Sequence, residues 1–173
     1  MGRTTSNITC PTCHAAKVRL ASRKGLSDAL LGGLTIYPFR CQLCADRFRK
    51  FLGCRTLNPR RSFDRVDVSF PVWFRPHRTP GSPRLGQEGV IENLSIRGCR
   101  IRTSALVILG SCLELEFQYS NDSLPITIAE AVVRSSGGDG TVGLRFTCLH
   151  RGEERRIRRI IDVWLPEPIS SYI

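Results

Sequence analysis

From Val66 onward, apolar and polar residues alternate along the chain. Val66, Val68, Phe70, Val72 and Phe74 fall on one face of an extended segment, with Asp67, Ser69, Pro71, Trp73 and Arg75 on the other. That is the period-two pattern of a strand with one buried side. The stretch from Arg78 to Arg84 contains Pro80, Gly81 and Pro83 and reads as a loop. Gly89 to Glu92 predicts a short strand ending at a turn. Cys99, Ile101 and Thr103 alternate with Arg100 and Arg102, and Leu113, Leu115 and Phe117 with Glu114 and Glu116. Pro125 to Val133 and Thr141 to Phe146 supply two more strands, separated by Gly137-Gly138-Asp139-Gly140. Six short strands with turn signals between them predict a mainly β fold, an antiparallel barrel or sandwich. The period then changes. Ile157, Ile160, Ile161 and Trp164 recur at helical spacing, with Arg155, Arg156, Arg158 and Arg159 on the solvent side. Glu153 and Glu154 suit the positive end of that helix, and Pro166 stops it.

The residues ahead of Val66 are organised by cysteine. Cys10, Cys13, Cys41 and Cys44 form two Cys-x-x-Cys pairs, whereas Cys54, Cys99, Cys112 and Cys148 lie singly among apolar residues. Each pair sits on a tight knuckle that aims both sulfurs at one ion, and tetrahedral zinc needs four such ligands. The gap between the pairs is longer than the common spacing of roughly 15–20 residues; a loop or an extra hairpin absorbs the difference. A module this small has too little core to fold alone, so structural zinc supplies the missing stability. With all four ligands from protein, no coordination position is left for catalysis, and His14 is read as an exposed neighbour of Cys13. Asn58-Pro59-Arg60-Arg61-Ser62 is a polar linker. The expected division is a zinc-ribbon-like module over residues 1–56 and a β domain with its helix over 57–173.

The longest apolar stretch, Leu26 to Phe39, is interrupted by Asp28 and Gly32-Gly33 and is too short to span a bilayer. Met1 to Cys13 lacks the apolar centre of a signal peptide. The expected location is therefore cytoplasmic, where a reducing environment favours metal ligation over disulfides.

The formal net charge of +11 argues for an anionic partner. It is concentrated at the front, where residues 1–59 hold ten cationic and two acidic side chains. All three lysines, Lys17, Lys24 and Lys50, lie there too; the remaining cationic side chains are arginines. Arginine suits bidentate recognition of phosphate and guanine better than lysine does.

One constellation stands out from this arginine background. Arg61-Ser-Phe-Asp-Arg65 precedes the first strand of the β domain, and Asn93-Leu-Ser95-Ile-Arg-Gly98 lies between two later strands. By itself the Arg-x-x-x-Arg spacing is uninformative, since chance alone yields about three such pairs in a chain this rich in arginine. In that order and on that scaffold, the two motifs resemble the PilZ family. The resemblance covers about residues 60 to 165. It implies a six-stranded antiparallel barrel, with a C-terminal helix, that binds the bacterial second messenger cyclic di-GMP. It implies further that Arg61 and Arg65 grip phosphates and guanine bases while Asn93, Ser95 and Gly98 line the barrel side. Arg60 adds a third guanidinium beside the motif. Cyclic di-GMP carries two phosphates and two guanines, and arginine pairs with guanine O6 and N7 or lies flat on the base.

An enzyme is not expected. His14, His77 and His150 are scattered, and no placed nucleophile, carboxylate pair or phosphate-binding glycine loop accompanies them. The rival function is nucleic-acid binding by the basic ribbon, where Phe39, Phe48 and Phe51 lie among Arg40, Arg47, Arg49 and Lys50. The competing role for those aromatics is the ribbon's own core. A third reading is an adaptor that docks a protein partner, and a downstream protein partner is also expected of a receptor.

Overall fold

The computed structural model describes residues 8–22, 27, 28, 30, 31, 34–51, 63, 65–77, 86–120 and 122–165. Arg60, Arg61, the linker around them, Cys54, the Arg78 to Arg84 loop and Pro166 lie outside the described residues. The chain divides into two compact units, residues 1–64 with 162–173, and residues 65–161.

In the first unit, β1 (Val18–Leu20), β2 (Ile36–Cys41) and β3 (Arg47–Phe51) form an antiparallel sheet in that order. Val18 pairs with Cys41, and Phe39 with Phe48. Cys10, Val18, Tyr37, Phe39 and Cys41 are buried at its centre. The Phe39 and Phe48 rings stack with centroids 5.9 Å apart. Phe51, expected in this core, is 67% exposed instead. It stands at the end of β3 opposite Ile36, beyond the reach of the knuckle-centred cluster.

Arg47 and Arg49, which the rival reading offered to a nucleic-acid backbone, are engaged within the unit. Both grip Asp28, whose side chain is 1% exposed. Arg49 donates through Nη2 at 2.8 Å and Nε at 3.1 Å to Asp28 Oδ1, and Arg47 donates to Oδ2. A buried carboxylate is tolerable only with such partners.

The second unit is a closed barrel. Its strands are β4 (Val66–Pro76), β5 (Gln87–Ser95), β6 (Gly98–Arg102), β7 (Cys112–Phe117), β8 (Ile126–Ser136) and β9 (Thr141–Cys148). They close in the order β4-β5-β6-β9-β8-β7, every pairing antiparallel. The alternation in β4 holds from Phe70 to Phe74, and Val66 is buried as well, but Val68, expected on the same face, is only half-buried beside a register shift between Asp67 and Phe70. Facing residues such as Ile91, Ile101, Ile126, Ile128 and Val133 are at most 1% exposed. The interior is thus packed with apolar side chains, as a barrel of this size requires.

Helix α1 (Arg151–Trp164) follows, burying Ile157, Ile160 and Ile161. Trp164, expected on that apolar face, is 53% exposed, while the next residue, Leu165, is buried. Arg156, expected in solvent, is half-buried: its Nη1 donates to the Pro125 carbonyl at 2.7 Å, and its Nη2 to that of Leu124. No helix among the described residues is long and apolar enough to cross a membrane.

Candidate functional site

Two constellations carry chemistry, one in each unit. The first is the cysteine cluster. Cys10, Cys13, Cys41 and Cys44 bring four sulfurs within 4.8 Å of one another. The Cys10–Cys44 and Cys13–Cys41 pairs lie at 3.5 Å. Tetrahedral zinc with Zn–S bonds of about 2.3 Å separates its sulfurs by about 3.8 Å, so these spacings fit.

The two knuckles are built alike. The Cys10 amide donates to the Ala15 carbonyl and the Cys41 amide to the Asp46 carbonyl, both at 2.9 Å. The residue after each second cysteine is left-handed, His14 at φ 59° and Ala45 at φ 63°. Non-glycine residues rarely take that conformation, and it costs about 1–2 kcal/mol each. Two such costs in corresponding places mark a geometry that the tight turns impose. The Leu43 and Cys44 amides point at Cys41 Sγ (3.4 and 3.5 Å), as expected around a thiolate.

Burial raises the Cys10 thiol, but the amides of Cys13 and Thr12 and the neighbouring sulfurs outweigh it and leave it below the ordinary thiol range. Burial together with adjacent sulfurs holds Cys44 above that range. Thiols packed this closely cannot all ionise unaided; a divalent cation between them lets all four do so. Among the described residues His14 does not join this group.

The second constellation lies on the barrel wall. A register shift in β5 between Ile91 and Asn93 inserts Glu92 opposite the Ile101–Arg100 step of β6. Such a bulge re-aims the side chains that follow it. Ile91 points into the barrel beside Ile101. After the bulge, Leu94 faces inward beside Cys99, and Asn93 and Ser95 face outward beside Arg100 and Gly98. Asn93 and Ser95 therefore lie within β5, which extends past the Glu92 end read from sequence. Gly98 opens β6 across the two-residue turn Ile96-Arg97.

Arg65 immediately precedes β4, one step beyond the Val66–Leu94 pair and so across from Ser95. Its Nη1 donates to Asn93 Oδ1 at 3.3 Å, just beyond the usual range for such a bond and therefore readily exchanged for a stronger acceptor. Asn93 is 9% exposed and Ser95 6%. The Ser95 hydroxyl donates to the Gly98 carbonyl at 3.0 Å, which closes the hairpin and leaves the oxygen's lone pairs outward as acceptors. Gly98 has a structural reason to be glycine, since a Cβ there would stand 2.1 Å from the Leu144 carbonyl oxygen. Beneath the wall, Cys99 is fully buried. That burial pushes its thiol up to about 12 against the opposing pull of Arg65.

The structure thus brings Arg65, Asn93, Ser95 and Gly98 together from two motifs about thirty residues apart in sequence. Arg60 and Arg61 are outside the described residues. Phe63, between them and Arg65, lies under the Arg40 guanidinium at 5.0 Å from its ring centre within the first unit.

Residues 59–162 match the sequence profile of the PilZ domain, more than half of the chain. The chain belongs to the PilZ family. No curated protein matches it. Among solved structures it is similar to other PilZ domains. The PilZ domain of CeSA from a cellulose-synthesizing bacterium is 17% identical, with 58% of this chain and 96% of that one covered and a TM-score of 0.44. The PilZ domain of YcgR from Escherichia coli, solved with c-di-GMP, is 16% identical, covering 61% and 92% at a TM-score of 0.47. The Bacillus subtilis inhibitor of motility MotI/DgrA is 17% identical, covering 66% and 51% at 0.48.

Sequence reasoning missed two features, one in each unit. One is the Asp28 clasp, whose partners stand 19 and 21 residues away. The other is the neighbour of Gly98 and Arg100 on β9, Gly143-Leu-Arg145, which only the barrel register reveals. The Gly-x-Arg tripeptide it shares with Gly98-Cys-Arg100 also occurs at Gly53-Cys-Arg55, so the pattern alone did not single it out.

Proposed function

We propose that this PilZ protein is a receptor for cyclic di-GMP that hands the binding event to a protein partner. The observation that carries the proposal is the hydrogen bond from Arg65 to Asn93. It joins the arginine motif to the outward-turned polar pair on β5. Arg61 and Arg65 would meet phosphates and guanine edges, with Arg60 beside them. Asn93 offers both a donor and an acceptor, and Ser95 acceptors for guanine N–H groups. The proposed role is binding rather than catalysis.

Coupling would run through the linker. Phe63 sits inside the arginine motif and carries Arg40 of the sheet module over its ring, a contact worth about 0.5–2 kcal/mol. A guest that pulls Arg61 and Arg65 inward must shift or retain that contact. The module itself would hold one structural zinc ion through Cys10, Cys13, Cys41 and Cys44. The rival reading, nucleic-acid binding by this module, is weakened because Arg47 and Arg49 already serve Asp28.

Calorimetric titration with cyclic di-GMP tests the receptor reading. The wild-type protein should bind, and Arg65→Ala and Ser95→Ala should each weaken binding, Arg65→Ala by roughly 5- to 150-fold for one lost bidentate contact. No binding by the folded wild type, or full affinity in the Arg65 variant, rejects it.

A further inference from the structure

Beside the polar pair on β5, the barrel wall carries a square of two glycines and two arginines. Gly98 pairs with Arg145 and Arg100 with Gly143, and Cys99 and Leu144 between them point inward and are buried. The two Gly-x-Arg tripeptides are therefore related by a local two-fold axis through the Cys99–Leu144 pair. Arg100 and Arg145 are both exposed and face outward on one diagonal, a separation of roughly 7–8 Å between backbones. The glycines occupy the other diagonal and put no side chain between the two guanidinium groups. Register continues the square into the motif residues, since Arg100 also pairs with Asn93 and Gly98 with Ser95.

The neighbouring arginine has a different job. Arg102 is held by Glu92 (Nε to Oε1, 2.5 Å) and donates to the Asp139 carbonyl. Among the described residues neither Arg100 nor Arg145 has an ion-pair or hydrogen-bond partner of this kind. Two outward guanidinium groups at this spacing repel each other mildly and gain nothing for the fold. A two-fold-symmetric guest with two identical bases matches the local symmetry.

We infer that Arg100 and Arg145 are the guanine-reading pair of the barrel wall, selecting cyclic di-GMP over its adenine counterpart through forked contacts to O6 and N7. The inference rests on the receptor reading above and deepens it. Guanine presents two acceptors on that edge, whereas adenine replaces O6 by an amino donor that an arginine fork repels.

The test titrates the full chain with cyclic di-GMP, and with cyclic di-AMP in competition, for the wild type, Arg100→Ala, Arg145→Ala, the charge-matched control Arg102→Ala, and Arg65→Ala. Thermal melting of each variant checks the fold. Arg100→Ala and Arg145→Ala should each weaken cyclic di-GMP by roughly 5- to 150-fold and leave cyclic di-AMP unchanged, so that the preference collapses. Arg102→Ala should leave the preference intact. A parallel loss for both dinucleotides would mean charge alone is at work and overturns guanine reading, as would no loss at all. In either case, sensitivity to Arg65→Ala would leave the receptor reading standing. A folded wild type that binds no cyclic di-GMP sinks both.

Discussion

Substituting Gly98 by alanine places a methyl group 2.1 Å from the Leu144 carbonyl oxygen on β9. Carbon and carbonyl oxygen normally approach no closer than about 3.3 Å, so β6 and β9 must part by about 1 Å around the Gly98–Arg145 pair. Overpacking of this kind costs about 1–3 kcal/mol, and each strained ladder hydrogen bond adds about 1 kcal/mol. Alanine's smaller entropy in the unfolded chain offsets about 0.4–1 kcal/mol. The expected loss is about 2–4 kcal/mol, a fall in Tm of roughly 10–30 °C for a barrel of this size. Gly143 makes an informative comparison. An alanine Cβ there would meet Ser135 Oγ at 2.3 Å, with the next atom, Ser135 Cβ, at an ordinary 3.7 Å. The obstacle is one hydroxyl, so Gly143→Ala should cost about 1 kcal/mol and Ser135→Ala should restore it. The same Ser135→Ala change should do nothing for Gly98→Ala, whose obstacle is backbone. Urea unfolding of the five variants measures this directly. A Gly98→Ala midpoint equal to the wild type, or failure of Ser135→Ala to rescue Gly143→Ala, refutes the register of β6, β9 and β8 on which the guanine-reading square depends.

Two further outcomes are expected of the N-terminal module. Metal analysis should find about one zinc per chain, and Cys41→Ser should reduce it below half an equivalent. Amide exchange at Val18, Tyr37 and Phe39 should lose protection on chelation, and metal-free protein that keeps it excludes a structural metal. Asp28→Ala should destabilise the module by about 1–3 kcal/mol, less than a fully buried pair because Arg47 and Arg49 are partly solvated. It should also raise salt-sensitive DNA binding by freeing two cations; unchanged DNA binding would mean that Asp28 does not restrain those arginines.

The barrel was legible wherever alternation ran unbroken. Phe70 to Phe74 and Leu113 to Phe117 announce their inward faces residue by residue. The same reasoning stopped β5 at Glu92, because a bulge resets the alternation and makes Asn93 and Ser95 look like a polar turn. The cysteine spacing pointed to the sulfur cluster because metal ligation is written in local pairs. Asp28 gave no such sign: it was read only as an interruption of an apolar stretch, since its partners are distant in sequence and its burial depends on the folded sheet. Helix α1 was legible in its period, but Trp164 at its end was assigned to the apolar face and is exposed instead. The pairing of Gly98-Cys-Arg100 with Gly143-Leu-Arg145 spans 45 positions, and no single-chain periodicity reports on register at that range.

The packed interior decides where recognition can occur. With Ile91, Ile101, Ile126, Ile128 and Val133 filling the lumen, no guest enters this barrel, so selectivity has to be written on its outside. On an outer wall, strict alternation presents whatever is left over from the core, and in β5 it would have turned Leu94 outward and Asn93 and Ser95 inward. The bulge at Glu92 reverses that assignment for three residues, and Arg102, one strand away, pairs with Glu92 itself. The bulge and the outward arginines thus act together: the bulge exposes the polar pair, and Arg100 and Arg145, without ion-pair partners among the described residues, stand beside it. Deleting Glu92 would keep the pairs Asn93–Arg100, Leu94–Cys99 and Ser95–Gly98 in step with Ile91–Ile101, whereas a change that straightens β5 with Glu92 retained should be more damaging to binding than any single substitution on the wall. Such straightening would turn Asn93 and Ser95 into the core and force Leu94 into solvent, a reversal that no side-chain rearrangement can undo.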